Sequence, residues 1–287
     1  IQLMTVDTGC GCKGIRFCAA CENTERVQRL RFEAEKHESY PCYIWVEGRA
    51  YRAEELNAHS SLQEIQKATT SRKEEDSFSV NGLMLIPDFL SVEEEKTIME
   101  KIDGVEWVMS QSGRRKQDYG PQVNFKHKKV KTAKFVGMPD YADFLLTKMK
   151  TLRPNQLDRY RPLEMCNLEY DEERKSAIEL HQDDMWIWGN RLISINLING
   201  SVMTLTNEKE EKLLFVWMPH RSLLCMADDA RYDWKHGVLS HHIQGRRIAL
   251  TMREAAPIFQ EGGDLFDKYG KELLEIGEKR VPLGVSM

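Results

Sequence analysis

Leu180-His181-Gln182-Asp183-Asp184 is the stretch from which the rest of the chain is read. Side chains two apart on an extended strand project to the same face. His181 and Asp183 therefore aim an imidazole and a carboxylate at one point with no turn between them. With one more histidine they make a two-histidine, one-carboxylate face, the donor set that holds Fe(II) and leaves positions open for other ligands. His-x-Asp alone is a common chance pattern. Three residues further along the chain give it weight: His236, Arg247 and Arg253.

Arg246 to Arg253 reads as a strand. Arg247 and Arg253 are an even number of residues apart and share a face, with the small Ala249 and Thr251 between them. Ile248, Leu250 and Met252 turn the other way, toward a core. A strand that points two guanidiniums inward needs an anion, because an unpaired buried charge is costly. A dicarboxylate fits, since a guanidinium grips a carboxylate through two parallel hydrogen bonds. The competing reading is an edge strand whose arginines reach solvent. His236 precedes Arg247 by enough residues for a strand, a turn and a return, and His241 and His242 compete with it for the third ligand position.

Around this centre the pattern is mostly strand. Arg191 to Asn199 alternates about Ile193, Ile195 and Leu197, and Ser201–Asn207, Leu213–Met218 and Ser222–Met226 come after it. Many short strands separated by turns point to a barrel or jelly roll. Upstream, Val80 to Phe89 reads as a turn and a strand. Ser91 and Glu94 have capping-box spacing, Ile98, Met99 and Ile102 form a buried stripe, and Gly104 closes the helix. A second helix begins at Asp140, with Tyr141, Phe144, Leu145, Met149 and Leu152 on one face, and stops before Pro154. Both helices should pack on one side of a sheet. Asp264 to Lys279 has helical spacing. The expected fold is α+β: a barrel or jelly-roll core flanked by helices, with a small Cys-rich N-terminal segment. Thr69 to Ser79 reads as a linker, dividing a Cys-rich region, 1–78, from the main domain, 79–287.

Composition sets limits. In 287 residues, 41% are apolar, enough for a sizeable core, and the net charge of −4 excludes a general polycation. Charge is uneven, however. Arg114, Arg115, Lys116, Lys126, Lys128, Lys129, Lys131 and Lys134 face only Asp118, a local +7. No apolar run nears the roughly 18 residues of a membrane helix, and Ile1 to Thr5 lack the features of a signal peptide. Seven cysteines without a pairing pattern fit a reducing compartment, and the expected localisation is cytoplasmic and nuclear. Four of them, Cys10, Cys12, Cys18 and Cys21, lie within twelve residues and are candidate ligands for a tetrahedral Zn(II), with Gly11 and Gly14 permitting a tight knuckle. The alternatives are loop thiols or a redox-sensitive cluster.

The order His181-x-Asp183, His236, Arg247-x5-Arg253 resembles the AlkB family of Fe(II)/2-oxoglutarate dioxygenases, most closely the branch of the fourth animal homologue. The resemblance is carried also by Gly9-Cys-Gly-Cys-Lys-Gly-Ile-Arg16, Ser110-Gln-Ser-Gly-Arg-Arg-Lys-Gln-Asp-Tyr-Gly-Pro121, Cys166-Asn-Leu-Glu-Tyr170 and Trp234-Lys-His236. It implies a double-stranded β-helix core, with iron on His181, Asp183 and His236, in preference to His241 and His242. It implies 2-oxoglutarate on the iron, paired with Arg247 and Arg253. It implies a substrate lid at Arg114, Arg115, Lys116, Gln117 and Tyr119. Tyr170 and Asn167 are the expected further cofactor contacts. The family's Asn-x-Tyr is one residue longer here, so Asn167 reaches the cofactor only through a bulge.

The activity implied is oxidative N-demethylation with release of formaldehyde, succinate and CO2. Two substrates are in view. One is N6-methyladenine in DNA, with the basic run on phosphates and Tyr119 or Phe125 stacking a flipped base. The other is monomethyl-lysine in a protein, with actin (actomyosin) as the partner the resemblance implies; the acidic whole-chain charge leans that way. Asp184, Trp186 and Trp188 either line the entrance or pack the core. The non-enzymatic alternative is a zinc-stabilised protein- or nucleic-acid-interaction module, against which the intact iron and arginine sets argue.

Overall fold

Along Arg246–Ala255 the pleat separates two kinds of side chain. Ile248, Leu250 and Met252 join the largest apolar cluster, whereas Arg247, Ala249, Thr251 and Arg253 face a cavity on the other side. The same parity holds next door. On Trp188–Leu197, Ile193, Ile195 and Leu197 face the large cluster and Leu192 the opposite one; on Pro162–Asp171, Leu163 and Met165 oppose Cys166, Leu168 and Tyr170. The computed structural model that shows this describes residues 10–70, 76–132 and 134–283.

These strands form the middle of a seven-stranded sheet in the order Leu83–Ile86, Leu223–Met226, Trp188–Leu197, Arg246–Ala255, Pro162–Asp171, Arg115–Tyr119, Val108–Met109. A second seven-stranded sheet runs Ile178–His181, Lys235–Val238, Ser201–Asn207, Lys212–Met218, Cys42–Val46, Arg49–Arg52, Ser77–Phe78. The two pack face to face. Met203, Leu205, Leu214 and Val216 of the second sheet meet Leu168, Leu192, Leu224 and Ala249 of the first in one cluster. This is the double-stranded β-helix, with the cavity at the mouth between the sheets.

Helices cover the outer faces. Val92–Asp103 and Ala142–Leu152 lay Ile98, Ile102, Leu145 and Met149 on the first sheet. The Ser91–Glu94 capping box forms, each side chain satisfying the other's main-chain N–H. Tyr141 is buried, but Phe144 and Leu152, expected on the same face, are both 39% exposed. Phe144 instead lies under the Lys148 ammonium, 5.6 Å from the ring centre. On the far side, Leu62–Ala68 packs Ile65 against Ile44 and Phe215. No helix among the described residues is long and apolar enough to cross a membrane.

The division expected at residue 79 does not appear in the sheet. Cys42–Val46 pairs in parallel with Lys212–Met218, Cys42 opposite Leu213, and so closes an edge that would otherwise present open main-chain groups. Ala50 pairs with Phe78, so the end of the supposed linker is itself a strand; residues 71–75 lie outside the described part. A polar, charged flank hid this because the strand's partner is far along the chain. One cooperative unit is therefore expected. Ile44→Ala, at a fully buried site, should cost about 2–5 kcal/mol and shift a single urea transition, seen alike by circular dichroism and tryptophan fluorescence. A separate early transition would show instead that residues 10–70 fold on their own.

Candidate active site

His181 is the last residue of Ile178–His181, and Asp183 lies just past the strand end. His236 stands directly across the antiparallel ladder from His181, with ring centres 4.5 Å apart. His181 Nε2 is 3.5 Å from an Asp183 carboxylate oxygen, and one donor atom from each of the three residues falls within 4.8 Å of the others. His181 Nδ1 is 2.8 Å from the main-chain carbonyl of Glu179. A proton donated there leaves Nε2 free as a lone-pair donor. His241 and His242 are elsewhere: His242 is buried against Ser60 and Phe215.

Protonation suits a cation. Burial, then His181, pushes the His236 pKa down to about 3, which keeps the ring neutral. Burial by itself would raise the Asp183 carboxyl, but Arg253, with His181 and His236, holds it well below the usual carboxylate range. His236 Nδ1 is buried without a hydrogen-bond partner. A neutral His236 ring, an ionised Asp183 carboxylate and an orphaned ring nitrogen suit an Fe(II) face.

The two arginines divide their labour. Arg247 is 1% exposed; its Nε donates to Asn196 Oδ1, while Nη1 and Nη2 have no partner. The Tyr170 ring lies 4.8 Å from the guanidinium carbon. A buried, half-satisfied guanidinium calls for a carboxylate from outside the chain, so the cavity beside it fits the distal end of 2-oxoglutarate. Arg253 is already paired. Its Nε donates to Asp183 Oδ2 at 3.1 Å and its Nη1 to Glu164 at 2.6 Å. The anion expected for it is thus largely supplied by the protein, one of the two being the metal-facing carboxylate itself.

Other expected contacts move. Asn167 faces away from the cavity: its amide donates to Gln117 Oε1 and the Tyr141 hydroxyl oxygen, both at 2.8 Å, in a buried network. No bulge turns it inward, because Asn167 stays in register between Cys166 and Leu168. Gln117 is 5% exposed and donates to the carbonyls of Ile102 and Val105, so it anchors a helix end rather than a lid. Arg115 pairs with buried Glu169, and the Tyr119 ring packs against the large cluster. Parity explains the split: Arg115, Gln117 and Tyr119 share the outward face, leaving Lys116, across from Leu168, and Arg114, over the Tyr170 ring, on the cavity side. Asp184 caps the following turn, accepting from the N–H groups of Trp186 and Ile187, and both Trp186 and Trp188 pack the core.

Three contributors were not legible in the sequence. Arg231, 1% exposed, donates to the carbonyls of Asp183 and Asp184, each at 3.1 Å, and so fixes the main chain of the metal-facing turn. Glu164 and Asn196 hold Arg253 and Arg247. Their only signal is cross-strand register, such as Glu164 opposite Arg253.

No family model matches the chain. A Caenorhabditis elegans protein named DNA N6-methyl adenine demethylase is 62% identical over 97% of this chain and 98% of its own length. The human alpha-ketoglutarate-dependent dioxygenase alkB homolog 4 is 37% identical, covering 93% of this chain and 92% of the relative. The solved structure of OsALKBH1 is 14% identical, covers 60% of this chain and 98% of that one, and superposes with a TM-score of 0.45.

The different partners of the arginines predict different defects. Arg253→Gln should weaken Fe(II) binding about 10–100-fold, the usual cost of losing a group that orients a metal ligand, with little change in the 2-oxoglutarate KM at saturating iron. Arg247→Gln should raise the 2-oxoglutarate KM and leave iron affinity near wild type. Titrating each cofactor against succinate production separates the two. Matching defects in both variants would contradict the assignment.

Proposed function

The chain belongs to the AlkB family of 2-oxoglutarate- and Fe(II)-dependent dioxygenases, and on that premise we propose that it demethylates N6-methyladenine in DNA. The observation that supports this most strongly is a basic hairpin whose charges have no partner. Gln122–Asn124 and Lys129–Lys131 pair in a two-stranded ribbon, directly after the strand that carries Lys116 and follows Arg114. Lys126, Lys128, Lys129, Lys131 and Lys134 are exposed, and no acidic group pairs with them among the described residues. Phe125, at the tip, is 50% exposed. Unpaired ammonium groups beside an exposed ring suit phosphates and a base drawn out of its stack. The whole-chain charge of −4 does not describe this local field. The 62% identical relative carries a name that agrees with the reading.

At the site, His181, Asp183 and His236 would hold the iron, and Arg247 the distal carboxylate of 2-oxoglutarate. When bound, the pair supplies the oxidation of the N-methyl carbon, which leaves as formaldehyde while the keto acid yields succinate and CO2. The chain's own residues do the rest. Arg253 and Arg231 keep Asp183 ionised and aimed; Leu168, Met203, Met226 and Val238 wall the cavity with apolar surface that limits water. Tyr170 places its ring under the Arg247 guanidinium at the cavity wall.

Formaldehyde release from N6-methyladenine DNA and from a monomethyl-lysine peptide, measured side by side, tests the proposal. Turnover of DNA is expected, and turnover of the peptide alone would overturn it. Replacing Lys126, Lys128, Lys129 and Lys131 with Ala should reduce the slope of log Kd against log salt by about 3–4 for duplex DNA. Succinate formed in the absence of methylated substrate should not change.

A further inference from the structure

Cys10, Cys12, Cys18 and Cys21 take no part in the iron site, yet their four sulfurs lie within 4.8 Å of one another. In a tetrahedral Zn(II) site with Zn–S bonds of about 2.3 Å, sulfurs are about 3.8 Å apart, so small side-chain rotations complete the sphere. Burial raises the Cys12 and Cys18 thiols, Cys12 to about 12, so it is the donors aimed at the sulfurs that favour a charged form. The N–H of Cys18 donates to Cys21 Sγ at 3.3 Å, and the N–H of Ser112 to Cys12 Sγ at 3.2 Å. Arg26 points Nη2 at Cys21 Sγ from 3.6 Å and uses Nη1 to hold the carbonyls of Gly14 and Arg16. Donated N–H groups and a guanidinium stabilise charged sulfur, and four thiolates so close need a cation between them.

The cluster is fastened to the catalytic core through Ser112 and, beside it, through Glu22. Ser112, fully buried at φ +56°, donates its N–H to Cys12 and its hydroxyl to the Glu179 carboxylate at 3.1 Å. The Glu179 carbonyl is in turn the partner of His181 Nδ1. Glu22, next to Cys21, pairs with Lys175 on the loop that leads into the same strand. Arg16, between the cysteine pairs, sits among the charges of Arg114, Glu179 and Asp183.

We propose that these four cysteines bind one structural Zn(II), and that the metal clamps residues 10–21 onto the Ser112–Glu179 rim of the iron pocket, placing Arg16 at its mouth. The full-length protein, purified under reducing conditions, should carry one zinc per chain by elemental analysis. His181→Ala should keep it, and Cys18→Ser and Cys21→Ser should lose it. Chelator-stripped His181→Ala protein titrated with Co(II) should develop the intense absorption of a tetrahedral thiolate site, a readout that does not depend on the folding of any cysteine variant. Amide exchange at 110–114 and 177–181 should accelerate when wild type is stripped of zinc. Reduced thiols with no bound zinc, or zinc retained by the cysteine variants, would overturn the site; unchanged exchange at both segments would overturn the clamp. Neither measurement involves substrate, so failure here is distinct from failure of the DNA reading.

Discussion

The ion pair between Arg253 and Asp183 ties the two sheets together at the mouth. Arg253 rises from the middle of the first sheet, and Asp183 lies just beyond the edge strand of the second. Buried carboxylates are ordinarily pushed toward the neutral form. Here the guanidinium reverses that push, so a metal-binding anion persists out of water. Glu164 balances the remaining charge of Arg253, and Arg231 fixes the carbonyls on either side of the Asp183–Asp184 bond. Remove this arrangement and the carboxylate has no reason to stay ionised where the histidines meet it.

A second consequence is asymmetry between two arginines that look equivalent in sequence. Arg247 and Arg253 share a strand face, yet one is saturated by the protein and the other is left with two unpartnered nitrogens. A buried cation kept incomplete costs stability. The cavity beside it is therefore a place where folding free energy is exchanged for cofactor selectivity, and the Asn196 contact and Tyr170 ring keep the loss small by pinning and shielding the guanidinium.

Periodicity accounts for most of what was legible in the sequence. Alternation on Arg246–Ala255 separated cavity from core correctly, because one buried face of a strand leaves a period of two in the residue types. His181 and Asp183 were legible from their spacing, although Asp183 lies just past the end of the strand rather than on it, and the choice of His236 over its neighbours came from family resemblance. Partnership stayed hidden. Asn167 and Gln117 look like functional polar residues in a motif, but facing each other across adjacent strands they complete a buried hydrogen-bond network. Arg231 lies in a short helix with no pattern of its own. Tyr40 to Val46 reads as a short strand and forms one at Cys42–Val46, but its place in the main sheet stayed hidden because its partner lies far along the chain.

That remote pairing carries a cost in time. Cys42–Val46 emerges first from the ribosome, but its ladder partner, Lys212–Met218, is made much later. The three residues of the candidate iron face, too, span positions 181 to 236. Until most of the polypeptide exists, an apolar strand has only Arg49–Arg52 on one edge and nothing on the other, and contacts so distant along the chain form slowly. Maturation of this enzyme is therefore a late, all-at-once event, and a truncated or stalled product would expose a sticky edge to chaperones rather than yield a partly working catalyst.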